Sequence, residues 1–155
     1  MTSYLSLAAF FAVTFVAAMS GGYFRPGAFY ESLSKPSWNP PDWVFAPAWM
    51  VLYVFIAIAG WLVWTKAGYG LAFAIWCVQI VLNTLWSYLA FGINRLDIAF
   101  YEVVLLWLSI AAFIIVAWPI DPTAAYLFIP YLMWVTFAAV LNFTVWQMNP
   151  RQVTE

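Results

Sequence analysis

The chain has 155 residues, of which 67% are hydrophobic and 7% are charged, and its formal net charge at pH 7 is −1. A soluble domain is about 45–50% apolar and about 25% charged, so a water-soluble fold of this composition would leave large apolar surfaces in water. The composition therefore predicts a membrane protein, and it excludes a basic surface for nucleic acid, an internal disulfide at the single Cys77 and a metal site built on histidine, which is absent.

The charged residues stand far enough apart to leave five uncharged runs. A membrane helix needs about 20 apolar residues at a rise of about 1.5 Å each, whereas a porin-type strand alternates apolar and polar positions. Because the runs are continuously apolar, we predict an all-α membrane protein, with five transmembrane helices in one domain over residues 1–155. The predicted helices lie near residues 4–23, 43–65, 68–91, 97–118 and 123–147.

The first segment could be a transmembrane helix or a cleaved signal peptide. Residues 17–21 resemble a cleavage site, but no positively charged region precedes the apolar run. We therefore predict that the segment is retained as the first helix.

The connection over residues 24–42 is rich in proline and aromatic side chains. It holds Pro26, Pro36, Pro40 and Pro41 as well as several large apolar residues. Proline fixes φ, and large apolar side chains need a surface to pack on, so the composition predicts an ordered lid over one mouth of the bundle. The alternative is an interfacial segment anchored at headgroup level by its tryptophans.

Three predicted helices carry aromatic and amide residues at helical spacing. Two interpretations of them remain open: an apolar pocket with a few polar anchors, or aromatic packing with interhelical hydrogen bonds. The residues are Trp49 and Tyr53 in the second helix, Gln79, Asn83 and Trp86 in the third, and Trp134, Ala138, Leu141 and Asn142 in the fifth.

The fourth helix is predicted to begin at Asp97, which would cap it, and to contain Glu102 one turn inside. An acid within a span is a candidate functional residue. It could also snorkel to the interface or pair with Arg95. The sequence contains no catalytic constellation of nucleophile, base and acid, and we expect neither a metal nor a resident cofactor.

The basic residues are distributed unequally between the two sides that five spans define. Arg25, Lys35, Arg95 and Arg151 lie on one side, and Lys66 lies on the other. By the positive-inside rule the N-terminus is outside and the C-terminus is cytoplasmic.

Several segments together resemble a known family. The sequence KPSWNPP at 35–41, Gln79-xxx-Asn83-xx-Trp86, and residues 130–142 are similar to the first loop, third helix and fifth helix of the TspO/translocator protein family. This family, TspO/MBR, includes the tryptophan-rich sensory proteins and the peripheral-type benzodiazepine receptor. The resemblance covers nearly the whole chain in the same order.

The resemblance implies a bacterial cell-membrane protein, a five-helix bundle, a homodimer in membrane lipid, and a cavity capped by the first loop. The implied ligands are porphyrins such as protoporphyrin IX, together with isoquinoline carboxamides and benzodiazepines. By position, the implied ligand contacts are Tyr30, Trp38, Trp49, Tyr53, Asn83, Trp86, Trp134, Ala138 and Leu141.

Sterol binding is doubtful, because the family's sterol motif needs a tyrosine and then a basic residue. This chain has Phe143 and Gln147 at those positions.

Three functions are therefore compared. The first is a porphyrin-binding protein of tetrapyrrole sensing, transport or regulation, which without histidine would favour a metal-free porphyrin, with Arg25, Lys35 or Arg95 meeting its carboxylates. The second is light- and oxygen-dependent porphyrin breakdown, in which the implied tryptophans are Trp49 and Trp134. The third is a small-molecule transporter, for which no polar path and no inverted repeat is visible.

Overall fold

The computed structural model describes residues 2–151, which are mostly helical. Within this part, five helices are long and apolar enough to cross a membrane, which confirms the predicted all-α, five-span architecture. The helices are α1 (Thr2–Tyr23), the short α2 (Ala28–Ser32), α3 (Phe45–Ala67), α4 (Leu71–Ser87), α5 (Leu96–Ala117) and α6 (Pro122–Met148). A 3-10 turn over Asp42–Val44 leads into α3, and a π turn over Tyr88–Gly92 follows α4.

Local backbone chemistry explains where two of these helices begin. Gly68 has a φ of +64°, a conformation that L side chains rarely adopt, and it ends α3. Gly70 is extended, so α4 begins at Leu71 rather than at the predicted residue 68. At the start of α6, the Asp121 carboxylate accepts a hydrogen bond of 2.9 Å from the Thr123 backbone N–H, and the proline that follows Asp121 fits the first turn.

The predicted cap of the fourth span is wrong. The helix α5 begins at Leu96, so Asp97 lies inside its first turn. Its carboxylate accepts hydrogen bonds from Arg95 Nε at 2.8 Å and Nη2 at 2.7 Å. The guanidinium takes the carboxylate that would otherwise cap the backbone, and Arg95 is consequently not available to Glu102.

The five long helices form a ring whose order differs from their order in the chain. The helix α1 packs against α3 and α4, α6 packs against α3 and α5, and α5 also packs against α4. Going round the ring, the order is therefore α1, α3, α6, α5 and α4. We call the end that carries residues 24–44 and 88–95 the loop end, and the end that carries residues 68–70 and 118–121 the closed end.

The interior near the closed end is filled with side chains. The rings of Phe113 and Phe128 lie 4.0 Å apart between centroids, and both are fully buried. The Trp76 ring lies against Gly60, where an added Cβ would come within 2.4 Å of it. Its indole N–H donates to the carbonyl of Ile56 at 2.8 Å. This half is closely packed, because aromatic rings fill the interior and the absence of a side chain at Gly60 lets the Trp76 ring approach α3.

The segment over residues 24–42 lies against the bundle at the loop end. Leu33 is 5% exposed and packs with the apolar cluster around Leu96 and Leu141. The Asn149 side chain accepts a hydrogen bond from the Ser34 N–H at 2.9 Å and donates to the Ser34 carbonyl at 2.8 Å. These contacts connect the first loop to the end of α6 and fix its position.

Candidate ligand cavity

A cavity of about 580 Å³ lies at the loop end, between the first loop and the adjoining parts of the long helices. Ligand pockets in proteins measure about 300–1,000 Å³ and are mostly apolar. Its lining includes Gly22 of α1, Tyr30 and Asn39 of the loop, Phe45, Trp49 and Tyr53 of α3, and Trp134, Ala138 and Leu141 of α6.

Aromatic rings from two helices form one wall. Trp49 and Trp134 lie 6.4 Å apart between centroids and almost perpendicular, at 87°. Tyr53 follows Trp49 by one turn, with ring centroids 5.5 Å apart, and Phe45 contacts Trp134 at 5.8 Å. Because residues four apart share a helix face, the spacing of Phe45, Trp49 and Tyr53 directs all three rings to the same side of α3.

Small residues and an opening lie elsewhere around the cavity. Ala138 contributes one methyl group from α6, and an added Cβ at Gly22 of α1 would have no heavy atom within 4 Å. Gly22, Ala46 and Met50 line the cavity and are also exposed. The cavity is therefore open to the outside of the bundle where the end of α1 lies near the start of α3.

Two buried polar atoms of lining residues have no hydrogen-bond partner in the described part of the chain. They are Trp134 Nε1, a donor, and Asn39 Oδ1, an acceptor. In contrast, Asn142 accepts from Trp86 Nε1 at 3.2 Å and donates to the Leu96 carbonyl at 2.8 Å. A buried polar group without a partner costs about 1–3 kcal/mol, so a ligand that offered complementary atoms would remove this cost.

Some charged residues near the cavity mouth line the cavity, and others are bound to neighbouring protein groups. Arg25 and Asp42 line the cavity. The Lys35 ammonium donates to the Glu31 and Leu33 carbonyls, each at 3.2 Å, and lies 4.9 Å from the Tyr30 ring centroid. Since Arg95 is paired with Asp97, Arg25 is the one of the three predicted carboxylate partners that lines the cavity.

Tyr30 forms part of the wall from the loop side. Its ring contacts Phe91 edge-on at 5.3 Å between centroids. Burial, with a smaller contribution from the negative charge of Asp42, raises the pKa of the Tyr30 hydroxyl, so this side chain stays neutral at physiological pH.

All of the implied ligand contacts line the cavity except Trp38 and Asn83. Trp38 is 46% exposed, and its ring packs against Phe137 at 5.9 Å. Asn83 is 4% exposed and lies behind the wall, where its Oδ1 accepts a hydrogen bond of 2.7 Å from the Tyr53 hydroxyl. Asn83 therefore supports the lining residue Tyr53, and Trp38 packs the loop against Phe137. Neither residue forms part of the cavity surface.

Sequence reasoning missed several lining residues. Phe45 was recoverable, because it precedes Trp49 by four positions on one helix face. Asn39 and the small residues of α1 carry no such periodic signal, since the first loop brings Asn39 to the cavity and the helix ring brings the others.

Comparison with known proteins gives consistent matches over most of the chain. The family model described as the TspO/MBR family matches residues 9–147. Protein CrtK of Rhodobacter capsulatus is 45% identical over 148 residues, covering 90% of this chain and 92% of that protein. The tryptophan-rich sensory protein of Cereibacter sphaeroides is 39% identical, covering 85% and 84%, and the translocator protein of Ovis aries is 38% identical, covering 77% and 74%.

Proposed function

The chain belongs to the TspO/MBR family, and from this premise we propose that it binds protoporphyrin IX and related flat hydrophobic ligands in the loop-end cavity. Two relatives are named as a sensory protein and a translocator protein, and this chain is a multi-pass membrane protein. In the proposal, binding serves tetrapyrrole sensing, transport or regulation. Isoquinoline carboxamides and benzodiazepines are proposed as further ligands of the same cavity.

The observation that carries this proposal is that the aromatic rings of Trp49, Tyr53 and Trp134 and the small side chain of Ala138 line the same cavity. Aromatic rings favour offset or edge-to-face contacts with another π system, and the missing bulk at Ala138 leaves space for a flat ring. The unpartnered Trp134 N–H adds a donor for an acceptor atom of the ligand.

The absence of histidine and the guanidinium of Arg25 support a metal-free porphyrin as the ligand. The absence of histidine removes the usual axial ligand of haem iron. Arg25 at the mouth is the proposed partner of a porphyrin carboxylate, because a guanidinium matches a carboxylate in charge and geometry. A histidine-like low-spin spectrum with bound haem would contradict this view of the cavity.

The first loop is proposed to act as a lid. The bonds between Ser34 and Asn149 and the burial of Leu33 support an ordered cover rather than a tether. Trp43 is 74% exposed, which suits a place at the membrane interface, so one segment can serve both as cover and as anchor.

We expect a homodimer in the membrane, with the N-terminus outside and the C-terminus in the bacterial cytoplasm. Arg25, Lys35, Arg95 and Arg151 on the side of the loop end support this orientation.

A titration of the detergent-purified protein with protoporphyrin IX tests ligand binding, with quenching of tryptophan fluorescence as the signal. Ala138→Phe fills the space beside Trp134 and should weaken binding by at least about tenfold, or about 1.4 kcal/mol. Trp38→Ala should weaken it less, through the loop. Trp118→Phe, at the closed end, is the matched control and should bind like the parent.

Saturable quenching that weakens in this order supports the cavity. Linear quenching that is the same in the parent and in the variants would mean that porphyrin partitions into the micelle, and it would contradict the proposal.

Porphyrin breakdown is the second candidate function, because Trp49 and Trp134 both line the cavity and lie within 6.4 Å of each other. The sequence offers no catalytic set of nucleophile, base and acid, so the chemistry would come from the excited porphyrin, oxygen and the indoles. Replacing both residues by phenylalanine should abolish light-driven loss of porphyrin absorbance while saturable binding remains. Equal loss rates in variant and parent would exclude this activity.

A further inference from the structure

Glu102 is a buried acid within the bundle, and the proposed ligand binding has no use for it. It lies on α5, is 5% exposed, and neither of its carboxyl oxygens has a hydrogen-bond partner in the part of the chain described. The basic residue that the sequence offered as its partner, Arg95, is bound to Asp97 instead.

The helices α4 and α6, which pack against α5, contain no charged residue within their described ranges. The helix α4 presents the neutral amides of Gln79 and Asn83 to the interior, and α6 presents the neutral phenol of Tyr131. On α5 itself, Asp97 is neutralised by Arg95. An isolated carboxylate is strongly disfavoured in a low-dielectric interior because it loses its hydration, so such a group binds a proton instead. Within a membrane span this cost is a reason to look for a function.

A chain of hydrogen bonds leads from the surroundings of Glu102 to the cavity wall. Tyr131 is fully buried on α6, which packs against the helix α5 that carries Glu102, and its hydroxyl donates to Gln79 Oε1 at 3.0 Å. The same hydroxyl accepts from Asn83 Nδ2 at 2.9 Å, and Asn83 Oδ1 accepts from the Tyr53 hydroxyl at 2.7 Å. Tyr53 lines the cavity.

Gln79, at the end of this chain of hydrogen bonds that lies away from the cavity, also has a buried polar atom without a partner in the described part of the chain. Gln79 is fully buried, and its Nε2 has no acceptor among the residues described. A protonated Glu102 carboxyl has a carbonyl oxygen that can accept such an N–H and a hydroxyl that can donate. An ionised carboxylate would accept only, and would attract the Tyr131 hydroxyl that now donates to Gln79.

We propose that Glu102 is a proton-binding site within the membrane, and that its protonation is linked to ligand binding through Tyr131, Asn83 and Tyr53. The bound proton leaves Tyr131 on Gln79 and keeps Tyr53 in the cavity wall. Loss of the proton redirects Tyr131 towards Glu102 and disturbs Tyr53, so ligand affinity falls as pH rises. By reciprocity, a bound ligand strengthens proton binding at Glu102. The linkage, though not the proton site itself, rests on the proposed ligand binding.

Infrared spectroscopy of the ligand-free protein tests the proton site. A protonated carboxylic acid has a carbonyl stretching band that a carboxylate lacks, and we expect this band in the parent at neutral pH. It should be absent in Glu102→Gln, which keeps the shape without the acid, and present in the matched control Glu31→Gln, an exposed acid. It should also disappear reversibly from the parent at alkaline pH. A parent spectrum without the band, or a band that survives in Glu102→Gln, would overturn the site.

Binding of an isoquinoline carboxamide across the same pH range tests the linkage. An uncharged probe is needed, because porphyrin carboxylates titrate themselves. Allosteric couplings are commonly about 5–150-fold, and we expect the parent and Glu31→Gln to bind the probe about fivefold more weakly once the infrared band is lost. Glu102→Gln should bind with the same affinity throughout.

A pH dependence that persists in Glu102→Gln, or a parent affinity that does not change when the band is lost, would overturn the linkage. If the parent bound neither this probe nor protoporphyrin IX at any pH, the proposed function and the linkage would both fail. The infrared result would then still decide the proton site by itself.

Discussion

The two halves of the bundle use small residues in opposite ways. At the closed end, the missing side chain of Gly60 is filled by the Trp76 ring, since an added Cβ would lie 2.4 Å from it. At the loop end, an added Cβ at Gly22 would meet no heavy atom within 4 Å, and Ala138 borders a cavity of about 580 Å³. A small residue thus produces close packing only when a large side chain from a neighbouring helix reaches it.

The two halves also differ in whether their polar groups have hydrogen-bond or ion-pair partners. Near the closed end, the Trp76 indole is paired with a backbone carbonyl, and Lys66 and Asp121 form an ion pair of 2.9 Å. At the loop end, the indole N–H of Trp134 and the amide oxygen of Asn39 have no partner among the described residues. Satisfied groups fit a region that only has to be stable, and unsatisfied ones fit a region that receives a ligand.

Gly60→Leu should have the largest effect, because it inserts a branched side chain where the Trp76 ring already lies. Overpacking of a filled core costs about 1–3 kcal/mol and sometimes more, and we expect about 3 kcal/mol here. Thermal unfolding of the detergent-purified protein measures it. Gly22→Leu is the matched control and should change stability by less than about 1 kcal/mol, which is the range of helix propensities. Equal losses in both variants would contradict the difference between the halves.

Asn149→Ala should act locally at the loop end. It removes the side chain that binds both backbone groups of Ser34, and a lost hydrogen bond in a buried place costs about 1–3 kcal/mol. We expect amide hydrogen exchange over residues 24–42 to become faster, while exchange at the closed end stays unchanged. Unchanged exchange in the loop would mean that its other contacts suffice to order it.

Asp121→Asn should have the smallest effect, at the closed end. Burial acts to raise the pKa of Asp121, but hydrogen bonds from Lys66 and the Thr123 N–H outweigh it, so the pKa lies below its ordinary value. A lowered folded-state pKa gives stability that is present above the unfolded pKa of about 3.9 and lost as pH falls through the folded value. Because Lys66 is 53% exposed, solvent screens the pair, and the loss should stay below about 1 kcal/mol.

The melting temperature as a function of pH measures this contribution. The parent should lose stability in acid, and Asp121→Asn should lose less, because its contribution is already absent. Lys66→Met is the matched variant, since it removes the ion pair and leaves the helix cap. Parallel pH curves for Asp121→Asn and the parent would contradict the assignment.

Much of the fold was predictable because a membrane restricts the choices. Continuous apolar runs predict spanning helices, and the structure has them. The predictions failed where a local competition decided the result. Asp97 does not cap α5, because Arg95 two residues earlier takes its carboxylate, and α4 begins late, because Gly68 and Gly70 leave the helical region.

The cavity was predictable to the extent that residues share a helix face. The pairs Trp49 with Tyr53 and Trp134 with Ala138 follow from a spacing of four, and all four residues line the cavity. The same spacing does not distinguish Asn83, which lies behind Tyr53, because a face includes residues that point at a neighbouring helix as well as residues that point at a void.

The sequence by itself determined the membrane class, the number of spans and the faces that carry aromatic rings, because hydropathy and helical periodicity are properties of each segment alone. Only the tertiary structure decided beside which small residues the space is filled and which border a cavity, and that Glu102 is buried without a partner among the described residues. Those outcomes depend on the order of helices around the ring. That order is set by contacts between segments far apart in the chain, which no local pattern records.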